Sequence, residues 1–224
     1  MNWEDSKACT PLKRDILRAW FDRESRYFLT GGSALGLFYL HHRRSYDLDL
    51  FTSNEVTSKE VKNLVLQVAE KINARCEALR SAPDFHRFLM TRNDEREIID
   101  VVTDRAPQLD TEKNLIDGIR VDTQREILAN KLTTLLSRSE VKDIIDLYFL
   151  EQAGHDILSA IPDAYEKDGG WGWEPAIVAM LLEGLSLDTL PALLVKDLDP
   201  EDLKAFQQRL RLAIAKLALP ELDE

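Results

Sequence analysis

Residues 30–50 read TGGSALGLFYLHHRRSYDLDL, and the two ends of this stretch constrain the fold together. Gly31-Gly32-Ser33 follows a strand-like run, residues 26–30. Glycines in that position let the backbone approach a ligand closely, and the N–H groups of a following helix point at an anion. At the other end Asp47 and Asp49 alternate with Leu48 and Leu50. A strand repeats every two residues, so both carboxylates leave one face and both leucines the other. Neighbouring carboxylates repel unless a cation lies between them or one is protonated. Ligation by oxygen alone suits Mg2+, which keeps waters and phosphate oxygens as its other ligands. Each half also has a plainer reading: a tight turn with Ser33 as helix cap, and solvated charge on an edge strand. The order strand, glycine turn, short helix, aspartate strand favours the joint reading, with anion donors beside cation ligands.

A third carboxylate is expected from a neighbouring strand. Asp100 stands in Glu97-Ile98-Ile99-Asp100-Val101-Val102, where an acid among apolar residues is costly to bury without a partner. The partner is either a metal or an arginine such as Arg96 or Arg44. Further along, Lys131 falls in register with Ile127, Leu128 and Leu135, inside an apolar helical stripe. It either meets an anion or pairs with Asp143 or Asp146, which lie three apart on one face of the next helix. Arg43, Arg44, His41 and His42 precede the aspartate strand. They are candidates for phosphate or acceptor contact, with a solvated basic loop as the expectation for the two histidines. Trp171 and Trp173 are read as core or interface residues, or as a platform for base stacking.

The pattern along the chain predicts an α+β protein: a mixed β-sheet core flanked by helices, then a helical C-terminal domain, with domains at 1–122 and 123–224. Thr10-Pro11 opens a helix that runs to about Arg23. Thr57 and Glu60 have capping-box spacing ahead of the stripe Val61, Leu64, Val65, Val68, Ile72. Strands are expected at 46–51, 75–80, 85–91 and 97–103, the last two joined by a hairpin at Asn93-Asp94-Glu95. Residues 104–122, with Pro107 and Gly118, read as a looser stretch, and helices follow from Thr123. Gly154 is expected to stop one helix, and the last begins at Pro200.

The net charge of −11 over 224 residues disfavours non-specific nucleic-acid binding, which needs a basic surface to release condensed counterions. A local basic patch can still serve a polyanion. No run of about 18 apolar residues exists to span a membrane, and the amino terminus MNWEDSKACT lacks a signal-peptide pattern. Cys9 and Cys76 read as free thiols, and a cytoplasmic protein is expected.

Gly31-Gly32-Ser33, the run Arg44-Ser45-Tyr46-Asp47-Leu48-Asp49-Leu50-Phe51, and Asp100 in its apolar strand resemble the DNA-polymerase-β-like nucleotidyltransferase superfamily. Within it, TGGSAL followed by HRRSYDLDLF is most similar to the AbiEii/AbiGii toxin family of bacterial toxin–antitoxin and abortive-infection systems. The resemblance continues through ILANKLTTLLSRSEVKDIIDLYFL, residues 127–150, where that family has a lysine and then an Arg/Lys-Asp-x-x-Asp-Leu helix. The family's usual arginine before the first helix aspartate is Lys142 here, which lacks the bidentate fork.

The resemblance implies transfer of a nucleoside monophosphate from an NTP to an acceptor hydroxyl, assisted by two Mg2+ ions. Asp47, Asp49 and Asp100 are the implied metal ligands. Gly31, Gly32, Ser33, Arg44 and Lys131 are the implied nucleotide-binding residues, and Asp143 joins the acids and Lys131 as catalytic. The acceptor is expected to be tRNA, a protein or another cellular target, and a cognate antitoxin is an expected partner. Two alternatives stay open: a non-catalytic nucleotide- or partner-binding protein on the same scaffold, and a small-molecule, antibiotic-type nucleotidyltransferase.

Overall fold

The structure, a computed structural model, describes residues 2–137, 140–169, 172 and 174–218. The chain divides into two compact units: residues 1–105 with 112–123, and residues 106–111 with 124–224. No helix among the described residues is long and apolar enough to cross a membrane.

The first unit is built on a mixed seven-stranded sheet. Its strands are β1 (Phe28–Thr30), β2 (Asp47–Thr52), β3 (Arg75–Ala82), β4 (Phe85–Arg92), β5 (Glu95–Thr103), β6 (Asn114–Ile116) and β7 (Ile119–Val121), in the order β3-β4-β5-β2-β1-β7-β6. Strand β2 runs parallel to β5 and antiparallel to β1, while β1 runs parallel to β7. Residues 104–122 are thus not merely loose: they hold the β6–β7 hairpin that completes one edge of the sheet. Its turn is Asp117-Gly118, with φ values of 51° and 81°, the left-handed pair that suits the twist of a tight hairpin.

Helices α1 (Pro11–Phe21) and α3 (Ser58–Lys71) pack on the face formed by Leu48, Leu50, Phe88, Met90, Ile99 and Val101, all buried. Thr10 caps α1 by accepting from the Lys13 N–H, with Pro11 at the first helical position. Thr57 and Glu60 form a complete capping box on α3. Trp20 packs edge-on against Tyr27 with ring centroids 5.3 Å apart, closing this core. One charged pair is buried with it. Lys13 Nζ lies 3.2 Å from Glu97 and donates to the Ser45 carbonyl at 2.9 Å, while the Thr10 hydroxyl donates to Glu97 at 2.6 Å. Helix α1 is thereby tied both to β5 and to the segment leading into β2.

The second unit is helical: α4 (Gln124–Ser137), α5 (Val141–Gln152), α6 (Ile161–Lys167), α7 (Pro175–Gly184) and α8 (Pro200–Ala218). Gly154, at φ 97°, follows the end of α5. Ile127, Leu132, Leu147, Leu150, Val178, Leu182, Leu203 and Phe206 fill its core. Arg125 on α4 meets Asp163 on α6 through paired bonds of 2.7 Å. Lys167 lies 3.0 Å from the fully buried Glu126. Gly170, Trp171 and Trp173, the candidate stacking loop, lie outside the described residues.

Removing one member of a buried pair leaves an uncompensated charge. Lys13→Met is therefore expected to lower unfolding stability by about 3–5 kcal/mol. The double variant Lys13→Met/Glu97→Leu should recover much of that loss in a urea titration.

Candidate active site

The second face of the sheet carries the acids. In β2 the burial alternates, with Leu48 and Leu50 inside and Asp47 and Asp49 half-exposed. Asp49 is in register with Asp100 on β5, and Asp100 with Arg87 on β4. On the other side Asp49 is in register with Thr30 at the end of β1. Side chains directly opposite in paired strands share a face, so Arg87, Asp100, Asp49 and Thr30 form one row across four strands. Asp47, Asp49 and Asp100 each offer a carboxylate oxygen within 4.8 Å of the others. Three anions this close fit a hard cation with oxygen ligands, and the half-exposure of Asp47 and Asp49 leaves room for waters or phosphate oxygens.

Thr30 is followed by α2 (Gly31–Ala34), which continues as a π-helical turn, residues 35–39, closed by the Leu40 N–H donating to the Leu35 carbonyl at 2.7 Å. Gly31 has φ 64°, and a Cβ there would collide with the Asp49 carboxylate. The Gly31 backbone thus lies directly against a candidate cation ligand. A Cβ on Gly32 would strike the Arg43 guanidinium. The first N–H groups of a helix have no acceptor within it, and Thr30, at the N-cap, makes no capping bond. Its hydroxyl donates instead to Asp122 at 2.7 Å. Asp122 is itself buried, 2.8 Å from Lys113, and its carbonyl accepts from Tyr39 Oη at 2.7 Å. Nothing from Thr30 competes with an incoming anion for those N–H groups.

Ser33 is buried, and its hydroxyl donates to the Asp47 carbonyl. It ties α2 to β2. Ser45 Oγ donates to Asp47 Oδ1 at 3.1 Å and holds that carboxylate in place. Arg44 is exposed and donates to the Lys7 carbonyl at 2.9 Å. His42 and Arg43 are fully buried, so the solvated-loop expectation fails for His42, while His41 is half-buried; Arg43 donates to the Arg44 carbonyl at 2.9 Å and fills the space left by Gly32.

Asp100 does take an arginine partner, but it is Arg87, not Arg96 or Arg44. Arg87 Nε donates to Oδ1 at 2.7 Å and Nη2 to Oδ2 at 2.6 Å, and Nη2 lies 4.0 Å from Asp47. The hydrogen bond to Asp100 holds the guanidinium more firmly protonated than usual; burial opposes this, and Asp47 and Asp49 add to it. Register around the β4–β5 turn could have identified Arg87, because Arg92 opposite Glu95 leads residue by residue to Arg87 opposite Asp100. The same face carries Arg75 and Arg80 on β3 and Arg96 on β5, all exposed, with Phe85 beside Arg80 and Arg87.

Lys131 and Asp143 belong to the helical unit. Lys131 Nζ lies 2.7 Å from both Asp143 and Asp146, whose carboxylates are fully buried, so this lysine pins α4 to α5. Lys131→Met is expected to lower stability by about 3–5 kcal/mol, because two buried acids lose a shared positive partner. At the glycine turn, Gly31→Ala combines a left-handed strain of about 1–2 kcal/mol with displacement of Asp49. If the acids hold a cation, thermal melts in Mn2+ should raise the parent's midpoint, and this variant should lose that rise.

A comparison with curated proteins gave no match. Among solved structures, a Helicobacter pylori protein with a provisional nucleotidyltransferase designation is similar at TM-score 0.61 and 23% identity, over 92% of this chain and 94% of that one. JHP933 from Helicobacter pylori is similar at TM-score 0.59 and 24% identity, over 95% of both chains. MenT4, a nucleotidyltransferase toxin from Mycobacterium tuberculosis H37Rv, is similar at TM-score 0.57 and 19% identity, over 94% of this chain and 82% of that one. At these identities the structural matches establish the shared fold. The family model for the nucleotidyl transferase AbiEii toxin, type IV toxin–antitoxin system, matches residues 15–224. The chain therefore belongs to the AbiEii family of nucleotidyltransferase toxins.

Proposed function

We propose that this nucleotidyltransferase uses a divalent cation, Mg2+ in the cell, to move a nucleoside monophosphate from an NTP to an acceptor hydroxyl, with tRNA as the acceptor. The observation that carries the cation reading is the meeting of Asp47, Asp49 and Asp100 within 4.8 Å, next to the Gly31 turn. Asp47 and Asp49 would hold the nucleotide-side ion, and with Asp100 they would hold a second one. The ions would supply charge neutralisation for the attacking and leaving oxygens of an in-line displacement.

The N–H groups at the start of α2 would bind phosphate oxygens, which the helix dipole favours. Ser33 would act through Asp47 by fixing the strand, and Arg44 by holding the segment before β2. Asp100 would take the proton of the acceptor hydroxyl as its oxygen bonds to the α-phosphorus; the bond to the bridging oxygen breaks, and pyrophosphate leaves. Lys131 and Asp143 enter as residues of the family motif whose buried ion pair supports the helical unit. If Asp143 also serves catalysis, Asp143→Asn should lower turnover by more than its loss of folded fraction explains.

Arg75, Arg80 and Arg96 favour a polyanionic acceptor over a small molecule, since they place exposed positive charge on the acid-bearing face of a chain whose net charge is −11. A cognate antitoxin is the expected cellular counterpart.

With an α-labelled NTP, Mg2+ and tRNA, Asp49→Asn should lower label incorporation by about a hundredfold or more, with its unfolding midpoint unchanged or raised. Retained transfer would remove the cation reading. Binding of tRNA should weaken with salt, and reversing the three arginines to glutamate should reduce that log–log slope by about one per residue. Affinity insensitive to salt would instead favour a protein or small-molecule acceptor.

A further inference from the structure

We propose that Arg87 is a positioning residue for the cation site: it occupies the cation's electrostatic place among the three carboxylates and fixes the plane of Asp100. The proposal rests on the cation-dependent reading of Asp47, Asp49 and Asp100.

Three features single Arg87 out. It lies in the same cross-strand row as Asp100 and Asp49, so the sheet itself sets its approach. Its guanidinium makes two bonds to one carboxylate, 2.7 Å and 2.6 Å, and also stands 4.0 Å from Asp47. Its side chain retains 40% exposure while Asp100 keeps 7%, so the charge sits at the solvent side of the site. An arginine needed only to satisfy a buried acid has no reason to reach a second, half-exposed one.

Two consequences follow from the charge and the shape of the group. First, a carboxylate offers about four lone-pair positions, and a two-pronged arginine uses one on each oxygen. Asp100 is thus held in one plane with a lone pair on each oxygen still available to a cation. Second, the guanidinium repels a cation at the same acids. It stabilises the arrangement before the cation arrives and weakens the cation's binding afterwards. Orientation and affinity are therefore opposed, and a variant can separate them. Lysine keeps the charge but loses the planar fork; glutamine loses both.

The test uses the full chain as parent, Arg87→Gln and Arg87→Lys. Mn2+ affinity is measured without nucleotide by electron paramagnetic resonance titration, and kcat and the NTP KM by label transfer. Arg87→Gln is expected to bind Mn2+ about tenfold more tightly, because one nearby positive charge is gone. Its kcat should fall about ten- to a hundredfold with KM for NTP within about twofold. Arg87→Lys should keep the parent's Mn2+ affinity and still lose kcat. A merely structural role would weaken Mn2+ binding and turnover together. Weaker or unchanged Mn2+ binding in Arg87→Gln, or parental kcat in Arg87→Lys, would overturn the proposal. Should Arg87→Gln fail to fold, Arg87→Lys decides alone: a changed Mn2+ affinity or an unchanged kcat refutes the assignment. A parent that binds no Mn2+ refutes instead the cation reading beneath it.

Discussion

Mutual repulsion among three carboxylates is the constraint around which the sheet-bearing unit is organised. Asp47, Asp49 and Asp100 stand within 4.8 Å of one another, a distance at which like charges are strongly unfavourable in a partly desolvated site. The protein places positive charge against the cluster through Arg87. Parallel pairing of β2 with β5 brings Asp49 opposite Asp100, and antiparallel pairing of β5 with β4 brings in the arginine. The cluster is thus a property of register. A slip by one residue would send every one of these side chains to the apolar face.

Buried polar ties hold that register from behind. Lys13 and Glu97 join α1 to β5 beneath the acids. Asp122 gathers Thr30, Lys113 and Tyr39 around the start of the glycine turn. Ser33 and Ser45 fix the backbone and side chain of Asp47. Each tie meets the requirement that a buried polar group find a partner, and each restrains one edge of the site. The helical unit uses the same device in Lys131 with Asp143 and Asp146, and in Lys167 with Glu126. In both units, charge placed within the core specifies how neighbouring elements pack.

How much of this was legible in the sequence depended on whether the signal was local. Alternation placed Asp47 and Asp49 on one face, and capping residues marked the starts of α1 and α3. The β6–β7 hairpin escaped because its strands have three residues each, too short for a period of two to show, although Asp117-Gly118 carried its turn signal. Arg87 escaped because its partnership with Asp100 exists only once the turn at Asn93-Asp94 is located and counted back. Read as solvated, His42 is buried, and Arg43 beside it is buried too. The glycines at 32 and 36 that make room around Arg43 are visible in the sequence, but the three-dimensional space they leave is not.

The central claim is that a divalent cation and the phosphates of an NTP meet at the junction of β2, β5 and the glycine turn. A crystal structure with Mn2+ and a non-hydrolysable NTP analogue tests it directly, because anomalous scattering locates the metal independently of the surrounding density. The account predicts a peak bonded to Asp47 and Asp49, with phosphate oxygens against the backbone N–H groups that open α2. Metal bound away from these carboxylates, or nucleotide bound with no metal between it and Asp47 and Asp49, would contradict it.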